Sequence, residues 1–382
     1  MSYKVIIPIA AGIAMLLSGC HGKNEGVVAE HVISLDVDEL LDEEVSIFDM
    51  FSAVEVTSLD NTYPLYNHVH VGTSNIASDG EHIFILDWRD LSVRSYEMDG
   101  TLAVYSDKRG RGPGEYVAAN QIAYNEELDK VEILCPMCRI FRYSPDSLKF
   151  DSVIDFSGQE LLAAHNFWRS GDEYALLVRS EKDKLWNLDP GSLELSSYGY
   201  RPPEYLDHYI SAQMPFFEFA GKPCFFRTYD GLVYTFDVGE RRLVPYIEWD
   251  LGKYQCLLED IPEDEDALEG FDFVLENSRK RFSPFIEIKA YGSRIFAGVI
   301  HNGEIHTICH DFETGESLLF EKTVEGMSFL PELFRDGVMY KFVDYTFLPE
   351  YVNRGILDPA SQAAYDKVLA EKGAAIVRYR LK

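Results

Sequence analysis

Apolar positions beyond about residue 50 fall in short runs that alternate with polar residues or fill with β-branched and aromatic side chains. The first group is Thr73 to Ser78, His82 to Asp87, Ser92 to Met98 and Thr101 to Asp107. The second is Gln121 to Tyr124, Lys130 to Leu134, Arg139 to Tyr143 and Leu148 to Phe156. Gly, Asp or Pro marks the joints, so the pattern predicts antiparallel strands joined by tight turns.

The turns repeat in two interleaved series. One falls at Asp79-Gly80, Asp129-Lys130, Gly171-Asp172, Gly221-Lys222, Gly292-Ser293 and Asp336-Gly337. The other falls at Asp99-Gly100, Pro145-Asp146, Pro190-Gly191, Val238-Gly239 and Thr314-Gly315. Residues 80, 129, 171, 221, 292 and 337 are spaced 49, 42, 50, 71 and 45 apart. A period in the forties with four short strands per unit predicts an all-β, six-bladed β-propeller of four-stranded antiparallel blades. The sixth unit ends with Ala374 to Leu381 and lacks an outer strand, whereas Val54 to Leu59 is a strand without a unit. Pairing these two would close the ring and remove a sheet edge.

Two stretches break the strand pattern, at about 251–283 and 345–373, and both predict helical insertions. Asp260 to Ser283 opens on acids, carries Leu268, Phe271, Val274 and Leu275, and ends on Arg279-Lys280-Arg281, charges that match a helix dipole. The acids from Glu259 to Asp266 lack EF-hand spacing and read as a solvated helix start. Asp358-Pro359, Ser361 to Lys372 and Gly373 supply a cap, a first-turn proline and a stop.

At the other end of the chain an apolar run from Val5 to Leu17 follows Lys4 and leads to Leu17-Ser-Gly-Cys20. The run is short for a transmembrane helix and has the layout of a secretory signal. Its end resembles the lipobox of bacterial lipoproteins. That resemblance implies removal of residues 1–19, acylation of Cys20 and membrane attachment through lipid alone. The non-acidic His21 after it favours the outer membrane on the same resemblance. The expected organisation is a signal over 1–19, lipidated Cys20 and a tether over 20–45, and the propeller over 46–382.

A net charge of −29 argues against nucleic acid and against electrostatic docking on anionic lipid. Besides Cys20 there are five cysteines, an odd number in an exported chain. Cys135-Pro-Met-Cys138 has redox-motif spacing, but it interrupts two strands and does not open a helix, so structural thiols or a local disulfide are the expectation.

Arg109-Gly-Arg-Gly-Pro-Gly-Glu-Tyr116 joins the outer strand of the first unit to the inner strand of the second. With Ile83, Ile85 and Asp87 ahead of it, this segment resembles the Gly-x-Gly-Pro-Gly-Glu-(Tyr/Phe) loop of the six-bladed β-propeller lipoproteins of Bacteroidetes, relatives of the NHL-repeat propellers. The resemblance extends over the mature domain to Ala375-Ile-Val-Arg-Tyr-Arg-Leu381. It implies an envelope protein and no particular chemistry.

In a propeller the links between blades and the middle hairpin turns share one face. That face gathers Trp88, Arg109, Arg111, Glu115, Tyr116, the Cys135 to Cys138 turn and both insertions, while the opposite face carries short Gly or Asp turns. The expected function is a binding module for a glycan, peptide or envelope protein, with Trp88, Arg109, Arg111, Glu115 and Tyr116 as candidate contacts and no cofactor. A competing role for the loop is structural, with Glu115 capping backbone amides and Tyr116 packing between blades. The alternative function is a metal-dependent hydrolase or lyase at the channel mouth, using His68, His70, His165 and His208.

Overall fold

The computed structural model describes residues 28–65, 75–159, 163–178, 183–202, 214–237, 240–256, 273 and 276–382. These form six sheets. The first blade is Ile76–Ser78, His82–Asp87, Ser92–Glu97 and Leu102–Asp107; the second is Gln121–Asn125, Lys130–Cys135, Arg139–Tyr143 and Phe150–Asp155. Ala164–Ser170, Glu173–Val178, Leu185–Leu188 and Leu195–Ser197 build the third. The fourth is Phe216–Phe219, Lys222–Phe226, Val233–Asp237 and Arg242–Asp250, and the fifth is Phe285–Tyr291, Arg294–His301, Glu304–Asp311 and Ser317–Phe320. The molecule is an all-β, six-bladed β-propeller with antiparallel four-stranded blades.

The sixth blade runs Leu333–Arg335, Val338–Asp344, Ala374–Leu381 and then, from near the start of the chain, Phe51–Ser58. Val54 lies opposite Tyr379 and Val56 opposite Val377, so the two ends of the domain close the ring by antiparallel pairing. The strand starts at Phe51, three residues earlier than the alternation predicts. Ser46 caps the preceding short helix Ile47–Met50 and aims the chain into the sheet.

Six apolar clusters fill the six seams between neighbouring blades. Between the first and second blades, Phe84, Leu86 and Val93 meet Ile122, Ile133 and Tyr143. At the closing seam Ile76, Ile83 and Tyr96 meet Tyr340, Phe342 and Ile376. Alternate residues of each strand face opposite neighbours, which explains why central strands such as His82–Asp87 are buried on both sides. Polar ties add direction: the Gln121 amide donates to the Phe167 carbonyl at 2.8 Å and its oxygen accepts from the Phe167 N–H at 2.8 Å, locking two inner strands.

The expected tether over 20–45 is not free along its whole length. His31–Ser34 adds to the fourth blade as a fifth strand, parallel to Arg242–Asp250, with Ile33 buried. An unpaired sheet edge offers a full row of donors and acceptors, and a four-residue strand gives too short an alternation to register in the sequence. Lys222 donates to Glu30 at 2.8 Å and Lys253 to Asp38 at 2.6 Å, fastening the same segment.

In the later insertion the helix Pro359–Glu371 lies against Phe51–Ser58, and the Ser361 hydroxyl accepts the Val56 N–H at 3.2 Å. The outermost strand of the closing blade is thereby shielded. Lys372, and not Gly373, takes the left-handed cap at φ 51. Most of the earlier helix expected over Asp260 to Ser283 lies outside the described residues; its positions 276–278 are helical.

Candidate ligand-binding site

Antiparallel order puts the blade-to-blade links and the second-to-third strand turns on one side, here the loop face, and the remaining turns on the other. On the loop face the glycine-rich segment folds back on itself. The Tyr116 N–H donates to the Lys108 carbonyl at 2.8 Å, and the Gly110 N–H donates to the Tyr116 carbonyl at 3.1 Å. Glu115 accepts the Gly112 N–H at 2.8 Å. Tyr116 is buried in the seam between the first two blades, 5.7 Å from the Phe141 ring, and its hydroxyl has no hydrogen-bond partner among the described residues.

Gly114 sits at φ +71, and a Cβ there would run into the Phe150 ring. Its carbonyl accepts the Tyr143 hydroxyl at 3.0 Å. Lys108 is buried beneath the loop, with its ammonium donating to the Leu148 carbonyl at 2.6 Å and lying 4.4 Å from the Tyr143 ring centroid. Burial lowers its pKa, while the Glu115 carboxylate opposes that shift. The loop therefore locks two blades together, as its structural role requires.

Arg109 serves the same frame. Its guanidinium donates to the Asp90 carbonyl at 2.8 Å, tying the loop to the turn that carries Trp88. Arg94, fully buried, holds that turn from below through Asp90 at 3.1 Å and Ser92 at 2.8 Å. Trp88 stands exposed on the turn with Arg89 5.4 Å from its ring centroid. Arg111 is exposed and makes no hydrogen bond or ion pair among the described residues.

Beside the loop lies a cleft of about 760 Å³. Its lining includes Arg111, Glu115, Tyr116, Val117, Met137, Phe150 and Val153, with Arg139 and Asp155 bonded to each other at 2.8 Å. Val117, Met137, Phe150 and Val153 are all at least 37% exposed. Four large apolar side chains are thus left to water in one concavity. The structure thus brings Arg111, Glu115 and Tyr116 into one cleft, whereas Arg109 braces the loop and Trp88 stands on the neighbouring turn. The apolar walls went unnoticed in the sequence because Val117, Met137, Phe150 and Val153 come from separate elements; the exposed Met137 inside a tight turn was the one local signal.

Cys135 and Cys138 flank that turn as buried thiols, and burial raises both pKa values, which disfavours the reactive thiolate. His68, His70 and His208 lie outside the described residues. His165 lies on the inner strand of the third blade, and the described residues hold no group of three metal-ligating side chains.

The opposite face is richer than its short turns suggest. An axial cavity of about 830 Å³ reaches the inner-strand turns there, lined by Tyr124, Glu126, Arg169, Tyr291, Phe334 and Arg335. These residues sit at or beside the ends of inner strands, next to the first turn series, which was the signal for them. Arg335 pairs with Glu126 at 2.9 Å, and Arg169 pairs with Glu127. Near Met214 and Leu333 of the same cavity lies a buried charged group: Lys289 with Glu287, and Lys341 3.8 Å from Glu332. Burial pushes the Glu332 carboxyl up to about 7, against the pull of Lys341.

Fold and loop together define a propeller family, and residues 21–328 match that designated DUF5128, described as a 6-bladed beta-propeller; the chain belongs to it. Among solved structures it is similar to a protein of Bacteroides fragilis described as exported, at 13% identity and TM-score 0.65, over 92% of this chain and 99% of that one. It is also similar to a member of the DUF4221 family from Bacteroides vulgatus, at 10% identity and TM-score 0.55, over 89% and 98% of the two chains. No curated protein matches its sequence.

Proposed function

We propose that this protein is a lipid-anchored binding module of the cell envelope, held at the outer membrane through Cys20, which takes its ligand at the loop face. The observation that carries the reading is the cleft beside the glycine-rich loop, where four exposed apolar side chains meet the unpaired guanidinium of Arg111. Lipid attachment is supported by the apolar run ending in Leu17-Ser-Gly-Cys20, which lies outside the described residues, and by a similar Bacteroides protein described as exported. No helix among the described residues is long and apolar enough to cross a membrane. Trp88, on the adjacent turn, extends the contact surface beyond the cleft.

The test has two parts. Replacing Cys20 with Ala should release the chain from the membrane fraction or block its processing; unchanged retention and processing would refute the anchor. Once a ligand is captured from envelope extract or on a glycan array, Arg111→Gln and Trp88→Ala should each weaken binding with thermal stability unaltered. Normal binding by both variants would exclude the loop face.

A further inference from the structure

Resting on that reading of the loop face, we infer that the cleft recognises an apolar group that ends in an anion, with a carboxylate as the simplest case. The walls and the rim ask for different things. Val117, Met137, Phe150 and Val153 present apolar surface that only an apolar body would cover favourably. The charged groups of the lining are Arg111, Glu115, Arg139 and Asp155.

Arg139 and Asp155 neutralise each other at 2.8 Å. Glu115 is engaged by the Gly112 amide and attracts the buried ammonium of Lys108 electrostatically. Arg111 is left as the uncompensated charge, a cationic spot on a chain of net charge −29. A planar guanidinium with five donors matches a carboxylate in a bidentate fork. The unpaired, buried hydroxyl of Tyr116 belongs to the same lining.

The cleft is of the size that holds a small ligand or the last residues of a peptide. Two sources share the chemistry: a free aryl or acyl acid, and the C-terminus of a chain ending in an apolar residue. A neutral or cationic apolar ligand would forgo Arg111. A charge-assisted hydrogen bond of this kind corresponds to roughly a tenfold or greater preference for the anion over its neutral amide.

The probes are 4-phenylbutyrate with 4-phenylbutyramide, and acetyl-Ala-Ala-Phe as free acid and as amide. Each is titrated calorimetrically into the full chain in lipid nanodiscs, with empty nanodiscs as the blank. Each acid is expected to bind at least about tenfold more tightly than its amide. Arg111→Gln should erase that preference with no change in Tm, and Arg111→Lys should retain part of it. Val117→Asp and Met137→Asp should weaken both acid and amide, the acid more strongly because each adds a like charge to the cleft.

Tighter binding of phenylbutyrate points to a free acid and tighter binding of the tripeptide to a chain terminus; either order supports the inference. Equal binding of acid and amide, a preference that survives Arg111→Gln, or no binding at millimolar concentration overturns it. If acid and amide bind equally and Val117→Asp weakens both, recognition of the anion fails while the cleft stands. If a probe binds and neither Val117→Asp nor Met137→Asp weakens it, the cleft itself is wrong.

Discussion

Gly114 has no room for a side chain, because its left-handed backbone and the Phe150 ring both require hydrogen at that position. Gly114→Ala is expected to lower stability by about 1–3 kcal/mol, read as a fall in Tm, whereas Arg111→Ala should leave Tm unchanged. Equal Tm values for Gly114→Ala and the wild type would show that the loop is not the lock described above. Glu332 allows a test by pH. Burial raises its carboxyl from the ordinary 4.5 to about 7, so between these values the folded state holds a proton that the unfolded chain has lost. Stability from this group is therefore intact below pH 4.5 and declines as pH rises through 7, by at most about 3 kcal/mol. The difference in Tm between Glu332→Gln and the wild type should shift in favour of the variant across that window. A difference that stays flat with pH would contradict a raised carboxyl. Glu115 and Tyr116 were visible as a motif together with the structural roles they take, capping an amide and packing between blades; which amide and which partners were not, because Gly112 is reached by a fold-back and Phe141 lies twenty-five residues beyond Tyr116.

Strands were legible wherever turn chemistry bounded them. Gly80, Gly171, Gly221, Gly292 and Gly337 all adopt positive φ at the predicted turns. The second series was only approximate. Leu148 and Leu193 take the left-handed position, at φ 49 and 62, a few residues after Pro145-Asp146 and Pro190-Gly191. In these turns the backbone is held by i-to-i+4 bonds, from Leu148 to Ser144 and from Leu193 to Asp189, both 2.8 Å, which override the preference for glycine. Ring closure by Phe51–Ser58 was inferred from a missing strand, while the parallel addition of His31–Ser34 had no such gap to announce it. The closing pair carries two further expectations. Deletion of residues 374–382 removes the partner of Phe51–Ser58 and should sharply lower Tm. Phe51→Ala, a fully buried ring against Phe329 and Tyr379, should cost about 3–5 kcal/mol. A deletion variant of full stability would rule out closure as a source of that stability.

The direction of His31–Ser34 bears on how the whole molecule stands at a membrane. Parallel to an outer strand, it runs from the turn face to the loop face, and Glu30 meets Lys222 just after a turn-face hairpin. A lipid on Cys20, as proposed, would therefore pull from the turn side and leave the loop face outward. A fluorophore at Asp172→Cys, on the turn face, should be quenched more strongly by headgroup quenchers than one at Met137→Cys on the loop face. Equal or reversed quenching would reject this orientation.

Much of the architecture is local information. Strand alternation, turn residues and the order Leu17-Ser-Gly-Cys20 act over a few positions, so the sequence alone determined the blade count, the kind of sheet and the expectation of export. The site is not local. Arg111, Met137 and Val153 meet only because the glycine-rich link folds back over the second blade, whose middle turn and outer strand carry the other two, and Arg109, though exposed, is engaged because the Asp90 carbonyl lies across from it. Tertiary structure alone decided which of the candidate residues brace the loop and which remain open to a ligand, since burial and pairing depend on neighbours that the chain brings together only on folding.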